Sequence, residues 1–268
     1  MNADSIWEDI KTIRDDGPLV HNITNYVVMD MTANALLALG ASPVMAHAVE
    51  EVEDMVGISS SLVLNIGTLS GPWIEAIFRA GAAAKRKGLR IVFDPVGAGA
   101  TRYRTETSRR ILDEIRPAIV RGNPSEIMAL VSSKAATKGV DTRYASDEAV
   151  DAAFELTDKY NCVISVSGAV DRIVFGDKII KVANGHTLMP KVTGLGCTAT
   201  ALTGAFVAVN PSPFEAAATA MAVTGIAGEM AAEKSAGPGS FRVNFIDALY
   251  RIGEADIRSR LLVSTEPR

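Results

Sequence analysis

The sequence predicts an α/β protein whose central sheet is mostly parallel and covered by helices on both faces. Three observations carry this expectation. Short apolar runs alternate with helix-length segments along the chain, the pattern left by parallel strands and their crossover helices. Polar residues stand just after those runs, and open parallel sheets bind ligands beyond the carboxyl ends of their strands. The chain has 268 residues, 48% hydrophobic and 22% charged, enough to bury a large core. No internal repeat or long linker interrupts it, so residues 1–268 are expected to form a single domain.

Residues 3–16 have the pattern of a short amphipathic helix ending at Asp16-Gly17-Pro18. His21-Asn22-Ile23-Thr24-Asn25 reads as a polar cluster leading into a helix over 26–39, which Gly40 stops. Residues 43–46 form a short buried strand, 49–58 an acidic helix, and 61–66 (SLVLNI) a stronger strand ending in Gly67-Thr68. A helix over 72–86 stops at Gly88, and the strand 90–93 runs into Asp94-Pro95-Val96-Gly97-Ala98-Gly99-Ala100-Thr101. After a helix over 105–115 and a strand over 118–120, Pro124 takes the first position of a helix through Leu130. The polar stretch 132–145 reads as a loop, followed by a helix over 146–159 and a strand over 163–166. Gly176-Asp177, between Ile173-Val174 and Lys178–Val182, marks a hairpin. Three helices, 197–209, 213–234 and 240–258, complete the chain.

The stretch Val192-Thr193-Gly194-Leu195-Gly196-Cys197-Thr198-Ala199-Thr200-Ala201 is the centre of the functional reading. Two glycines precede a run of small residues that reads as a tightly packed helix. A helix N-terminus presents unpaired N–H groups and about half a positive charge, so it attracts anions. Gly194 and Gly196 would let a phosphate reach those amides with no Cβ in the way, and the same field should favour a Cys197 thiolate. The bland alternatives are a tight turn and a small buried hydrophobe.

The strand-end residues have similar double readings. Asp94 either caps a turn or holds Mg²⁺ in a phosphoryl-transfer site. Glu126 either complements its helix dipole or supplies a second carboxylate. Arg121 either pairs with a surface acid or grips a phosphate with its guanidinium fork. Ser167-Gly168 is a plain turn or a donor to a nucleotide phosphate, and Met45 by itself reads as core. All these loops except that of Met45 follow expected strands, as does Asn65-Ile66-Gly67-Thr68, so they should gather at one rim of the sheet with the glycine stretch.

Other classes fit poorly. A net charge of −4 and a pI near 5.5 argue against a nucleic-acid partner. Cys162 and Cys197 fit a reducing cytosol better than a disulfide framework, and the polar, acidic first residues show no signal-peptide pattern. The apolar run 216–228 is too short to span a membrane, so a cytoplasmic enzyme is expected. There is no Walker loop and no complete dinucleotide fingerprint, because Arg102 stands at the third glycine position. His21, His47 and His186 lack zinc-site spacing. A Cys197/His186 hydrolase has nothing in the sequence to orient it.

Four motifs in order (HNITN at 21–25, DPVGAGAT at 94–101, RGNPSEI at 121–127 and VTGLGC at 192–197) closely resemble those of the hydroxyethylthiazole kinase family, within the ribokinase-like superfamily. The likeness runs from about residue 6 to residue 255. It implies a ribokinase-like three-layer α/β/α fold. The implied reaction phosphorylates the hydroxyethyl alcohol of 4-methyl-5-(2-hydroxyethyl)thiazole with ATP and Mg²⁺, for thiamine biosynthesis or salvage. By matching positions, Met45 and the Gly194 amide would contact the thiazole with Asn25 close by. Arg121, Ser167 and Asn123 would serve ATP, while Asp94 and Glu126 would serve Mg²⁺. Cys197 stands where the wider superfamily usually carries an Asp base, flanked by the catalytic glycines Gly194 and Gly196. The resemblance also implies a homotrimer with its thiazole pocket at a subunit interface. Leu195 and Ser167 depart from the family pattern, and Leu195 could crowd the anion site. The alternative within the fold is a kinase for another small alcohol such as hydroxymethylpyrimidine.

Overall fold

A computed structural model describes residues 1–131 and 144–268. The elements run α1 (Ala3–Asp16), β1 (Leu19–Ile23), α2 (Met29–Leu39), β2 (Ser42–Val44), α3 (Val52–Ile58), β3 (Ser61–Asn65), α4 (Gly71–Lys87) and β4 (Ile91–Asp94). Then come α5 (Arg102–Arg110), β5 (Ile119–Gly122), α6 (Pro124–Val131), α7 (Tyr144–Tyr160), β6 (Val163–Val166), β7 (Asp171–Phe175) and β8 (Lys178–Val182). The chain finishes with α8 (Leu195–Val209), α9 (Pro213–Ala232), α10 (Pro238–Arg251), α11 (Glu254–Arg260) and β9 (Val263–Pro267).

Among the described residues the strands form one sheet in the order β2-β1-β3-β4-β5-β6-β7-β8-β9. β2 through β6 in that order are parallel, and β6 to β9 are antiparallel. The period of two along each strand divides the core into two layers. Val20, Val63, Val92, Ile119 and Val163 face a layer built from α1, α2, α8, α9 and α10. Ile23, Leu62, Leu64, Phe93, Val120 and Ile164 face the other, built from α3, α4, α6 and α7. The expected α/β/α layering and mostly parallel sheet are both present.

The differences from the expected elements have local causes. His21-Asn22-Ile23 is not the lead-in to a helix but the body of β1, an interior strand whose His21 and Asn22 are fully buried. Buried polar residues on a strand bonded on both sides leave no amphipathic signal. β9 was not foreseen because its side chains are mostly exposed and its order comes from backbone pairing with β8. The last expected helix breaks at Ile252-Gly253, where Gly253 starts α11 and its N–H donates to Asp256 Oδ2 at 3.0 Å. The helix expected over 105–115 ends as a π-turn at Ile111–Ile115. Of the loop expected over 132–145, residues 132–143 lie outside the described residues, and Tyr144 and Ala145 belong to α7.

α8 is the helix that places the site. It packs along β1 and β3 at Gly204, whose carbonyl accepts from Ser61 Oγ at 2.7 Å. A Cβ at Gly204 would lie 2.5 Å from Val63 Cγ2 and 3.0 Å from Val20 Cγ1. The loop entering α8 is docked in turn on α9. Asn184 donates to Glu229 Oε1 at 3.0 Å and to the Arg260 carbonyl at 2.7 Å. A Cβ on Gly225 would come within 2.6 Å of the Asn184 backbone.

Gly204→Ala sets helix propensity against space. Alanine gains about 1 kcal/mol of propensity, whereas overpacking of this kind costs about 1–3 kcal/mol. The variant should be less stable than the wild type in urea denaturation, and Gly204→Val worse still. An unchanged or raised midpoint for Gly204→Ala would contradict this close approach of α8 to the sheet.

Candidate active site

The apolar row Val63–Val92–Ile119–Val163 ends at a polar one. Two residues further along each strand stand Asn65, Asp94, Arg121 and Ser165, on the same face and all buried. The registers Asn65↔Asp94 and Arg121↔Ser165 align them at the carboxyl rim, beneath the start of α8. A step of two residues preserves the face, so these side chains meet the N-terminus of the helix that covers their apolar neighbours.

Asp94 is the acidic centre. Its Oδ2 accepts from Thr200 Oγ1 at 2.8 Å and from Asn65 Nδ2 at 3.0 Å. Burial pushes its carboxyl up to about 6, against the pull of Arg121 and those two donors, with Glu126 adding to the rise. Oδ1 accepts no hydrogen bond among the described residues, which leaves it for a cation or water. Glu126 lies in the first turn of α6, where Asn123 Oδ1 accepts from the Glu126 N–H at 3.0 Å. Its two oxygens accept from the N–H groups of Gly97 and Asn123, each at 2.8 Å. Glu126 thus binds its own helix start to the loop after β4 and remains a charged neighbour of Asp94. Two carboxylates with spare lone pairs suit Mg²⁺, which takes one or two protein carboxylates and completes its shell with phosphate and water.

The basic side of the site is Arg121 with α8. Gly194 caps the helix at φ 91, a left-handed conformation that glycine adopts freely, and no side chain caps the N-terminus. A Cβ on Gly196 would lie 3.4 Å from Arg121 Nη1, so the guanidinium stands directly beneath the first turn. Arg121 is buried, its Nε has no partner, and no carboxylate closes an ion pair on it among the described residues. An uncommitted buried guanidinium beside an uncapped helix N-terminus strongly attracts an anion.

Cys197 departs from expectation. Its Sγ accepts from Asn25 Nδ2 at 3.5 Å, yet burial and the nearby Asp94 push the thiol up to about 11. Desolvation and a like charge outweigh the helix field, so Cys197 is a thiol at neutral pH rather than the expected thiolate. Leu195 does not crowd the site, because its side chain is buried in the core with Val192. Ser167 Oγ donates to the Gly122 carbonyl at 3.3 Å and is half-buried at the end of β6. Met45 is half-buried after β2, and its carbonyl lies 3.3 Å from His47 Nδ1. The structure therefore gathers Asn25, Asp94, Arg121, Glu126, Gly194, Gly196 and Cys197, with Asn123 and Ser167 at the strand ends beside Arg121. Met45 approaches from the β2 side, in a loop whose Ala46 carbonyl lies 2.8 Å from His21 Nε2 and whose His47 ring packs 6.1 Å from that of Tyr26, next to Asn25.

Two participants, Thr200 and Arg104, are not singled out by the sequence. Thr200 lies one helical turn beyond Gly196, where one of three Thr residues (with Thr198 and Thr203) in a small-residue helix looks like packing. Asn65, expected at the rim, is there, paired in register with Asp94. Arg104 donates to the carbonyls of Ile66 and Gly67 at 2.8 Å and of Val96 at 2.7 Å, locking together the loops after β3 and β4.

The raised Asp94 value has a testable sign. Between its ordinary 3.8 and about 6 the folded chain holds a proton that the unfolded chain has lost, so stability falls as pH rises through that window. Asp94→Asn should therefore melt several degrees higher than wild type at about pH 7.5, with the advantage disappearing near pH 4. Calorimetry at the two pH values checks this, and an equal difference at both would contradict it.

The family model described as Hydroxyethylthiazole kinase family matches residues 10–255. A hydroxyethylthiazole kinase from Nitratidesulfovibrio vulgaris is 55% identical over 262 residues, 98% of each chain. The solved hydroxyethylthiazole kinase structure from Pyrococcus horikoshii OT3 superposes with a TM-score of 0.91 at 45% identity, over 98% of this chain and 99% of that one. The pyridoxal kinase of Staphylococcus aureus, in complex with pyridoxal, superposes with a TM-score of 0.67 at 17% identity over 93% and 98% of the two chains, a likeness of fold alone. With its ribokinase-like α/β fold and near full-length similarity, this chain belongs to the hydroxyethylthiazole kinase family.

Proposed function

We propose that this enzyme transfers the γ-phosphoryl group of ATP to the hydroxyethyl oxygen of 4-methyl-5-(2-hydroxyethyl)thiazole, making the thiazole phosphate used for thiamine. The observation that carries the site assignment is the buried, uncommitted Arg121 guanidinium under the uncapped start of α8, opposite Asp94. Phosphoryl transfer needs positioned charge more than covalent help from the protein, and this arrangement supplies it. The first-turn amides of α8 and the Arg121 fork grip the transferring phosphoryl and its nucleotide, while Asn123 and Ser167 frame the nucleotide edge. Mg²⁺, held by Asp94 and Glu126 together with nucleotide phosphates, would supply neutralisation of charge building on the phosphoryl oxygens. Asn25, Met45 and the Gly194 amide hold the thiazole.

Cys197 orients the alcohol. A thiol near 11 is a weak base at neutral pH, but a loose transition state requires little early deprotonation. Nothing in the site favours hydroxymethylpyrimidine as the acceptor instead. We read the chain as one catalytic domain, cytoplasmic, with free thiols at Cys162 and Cys197. Among the described residues no helix is long and apolar enough to cross a membrane. We also propose a homotrimer. Tyr26 and Val27, next to Asn25, are 63% and 67% exposed, an apolar rim that a neighbouring subunit would cover as it completes the thiazole pocket.

Release of ADP in a coupled assay should depend on the thiazole alcohol and be near background with hydroxymethylpyrimidine. Equal turnover with both would refute the substrate assignment. Cys197→Ala should lower kcat by about 10²-fold, the low end for loss of proton-transfer help, with KM for ATP little changed. Gly196→Leu should be more damaging, because its side chain would press on Arg121; a healthy Gly196→Leu enzyme would contradict the anion-site assignment. Light scattering should give three times the monomer mass, and a fully active monomer would rule out a shared pocket.

A further inference from the structure

Two amides connect the acidic and sulfur sides of the site. Asn65 Oδ1 accepts from the Gly67 backbone N–H at 2.9 Å and from Asn25 Nδ2 at 2.9 Å. A backbone N–H can only donate, so the Gly67 contact fixes which end of the Asn65 amide is oxygen. Its Nδ2 must then face Asp94 Oδ2, at 3.0 Å. Asn25 is fixed by the same logic. Facing an oxygen that only accepts, it must present Nδ2, and its second hydrogen is left for Cys197 Sγ at 3.5 Å. Sulfur is thereby made an acceptor, and the thiol hydrogen has to point away from Asn25. The loop holding Gly67 is itself fixed by Arg104 through the carbonyls of Ile66 and Gly67. There is no slack at this contact, since a Cβ on Gly67 would lie 2.5 Å from Asn25 Nδ2.

We propose that Asn65 is a positioning residue for phosphoryl transfer: its amide fixes the orientation of Asn25, which presents Cys197 Sγ as a hydrogen-bond acceptor in register with the Asp94 carboxylate. This rests on the reading of Asp94, Asn25 and Cys197 as the transfer site. Asn65 touches neither nucleotide nor alcohol in this account. It acts by keeping two groups on adjacent elements, the β4 end and the first turn of α8, at a constant separation. An asparagine suits the task because it both accepts and donates within one rigid plane, which neither Asp nor Leu does.

The test is a double-mutant cycle on kcat with Asn65→Ala, Cys197→Ala and the pair, with thermal melting and ADP titration in chelator as readouts independent of turnover. Asn65→Ala alone should lower kcat about 10–100-fold, the usual cost of losing a supporting hydrogen bond around a site. KM for ATP and ADP affinity should stay within about threefold of wild type. In the Cys197→Ala background the same change should cost clearly less, because the group it positions is gone. Multiplicative losses across the cycle would overturn the proposal, as would an ADP affinity that collapses together with kcat. Should Asn65→Ala not fold, Asn65→Leu fills similar volume without an amide and carries the same cycle. A wild-type enzyme that fails to turn over the thiazole alcohol would bring down the functional reading and the proposal together. An active wild type with an additive cycle would remove only the role of Asn65.

Discussion

The extent of the hydrophobic layer beneath α8 determines everything at the rim. Val63, Val92, Ile119 and Val163 fill that layer across four parallel strands. Two residues later the same face carries Asn65, Asp94, Arg121 and Ser165, buried but polar. Because side chains alternate strictly along a strand, an insertion or deletion before any one of these residues would turn it toward α4 and α6 instead. The parallel register then sets these groups side by side, and Gly204 holds α8 close enough to lay its first turn over them.

Burying charge there works against stability and in favour of chemistry. Asp94 is driven toward its neutral form by burial and kept usable by Thr200, Asn65 and Arg121. Arg121 retains an unpartnered Nε. These are costs that a phosphate and its cation would remove on binding in the proposed site. Cys197 shows the same competition resolved the other way. The helix field alone would favour a thiolate, but desolvation and the neighbouring carboxylate prevail.

Much of this was legible in the sequence for a specific reason. Strands such as SLVLN and IVFD are continuously apolar and end in a polar residue, so both the strand and the rim position can be read from composition. Arg121 and Glu126 were legible because Pro124 marks a helix start immediately after a strand. What was hidden depends on neighbours distant in sequence. β1 is an interior strand with buried His21 and Asn22, and β9 exists only through its pairing with β8. The elevated Cys197 and the amide chain through Asn65 required the third dimension, since Asn25, Asn65, Asp94 and Cys197 come from four separate segments.

The central claim is that Arg121 and the start of α8 form a phosphate site. Calorimetric titration of ATP and of adenosine into wild type and Arg121→Met tests it most directly. Wild type should prefer ATP strongly over adenosine, and the variant should lose most of that preference while binding adenosine as before. An Arg121→Met enzyme that discriminates ATP from adenosine as well as wild type does would contradict the account.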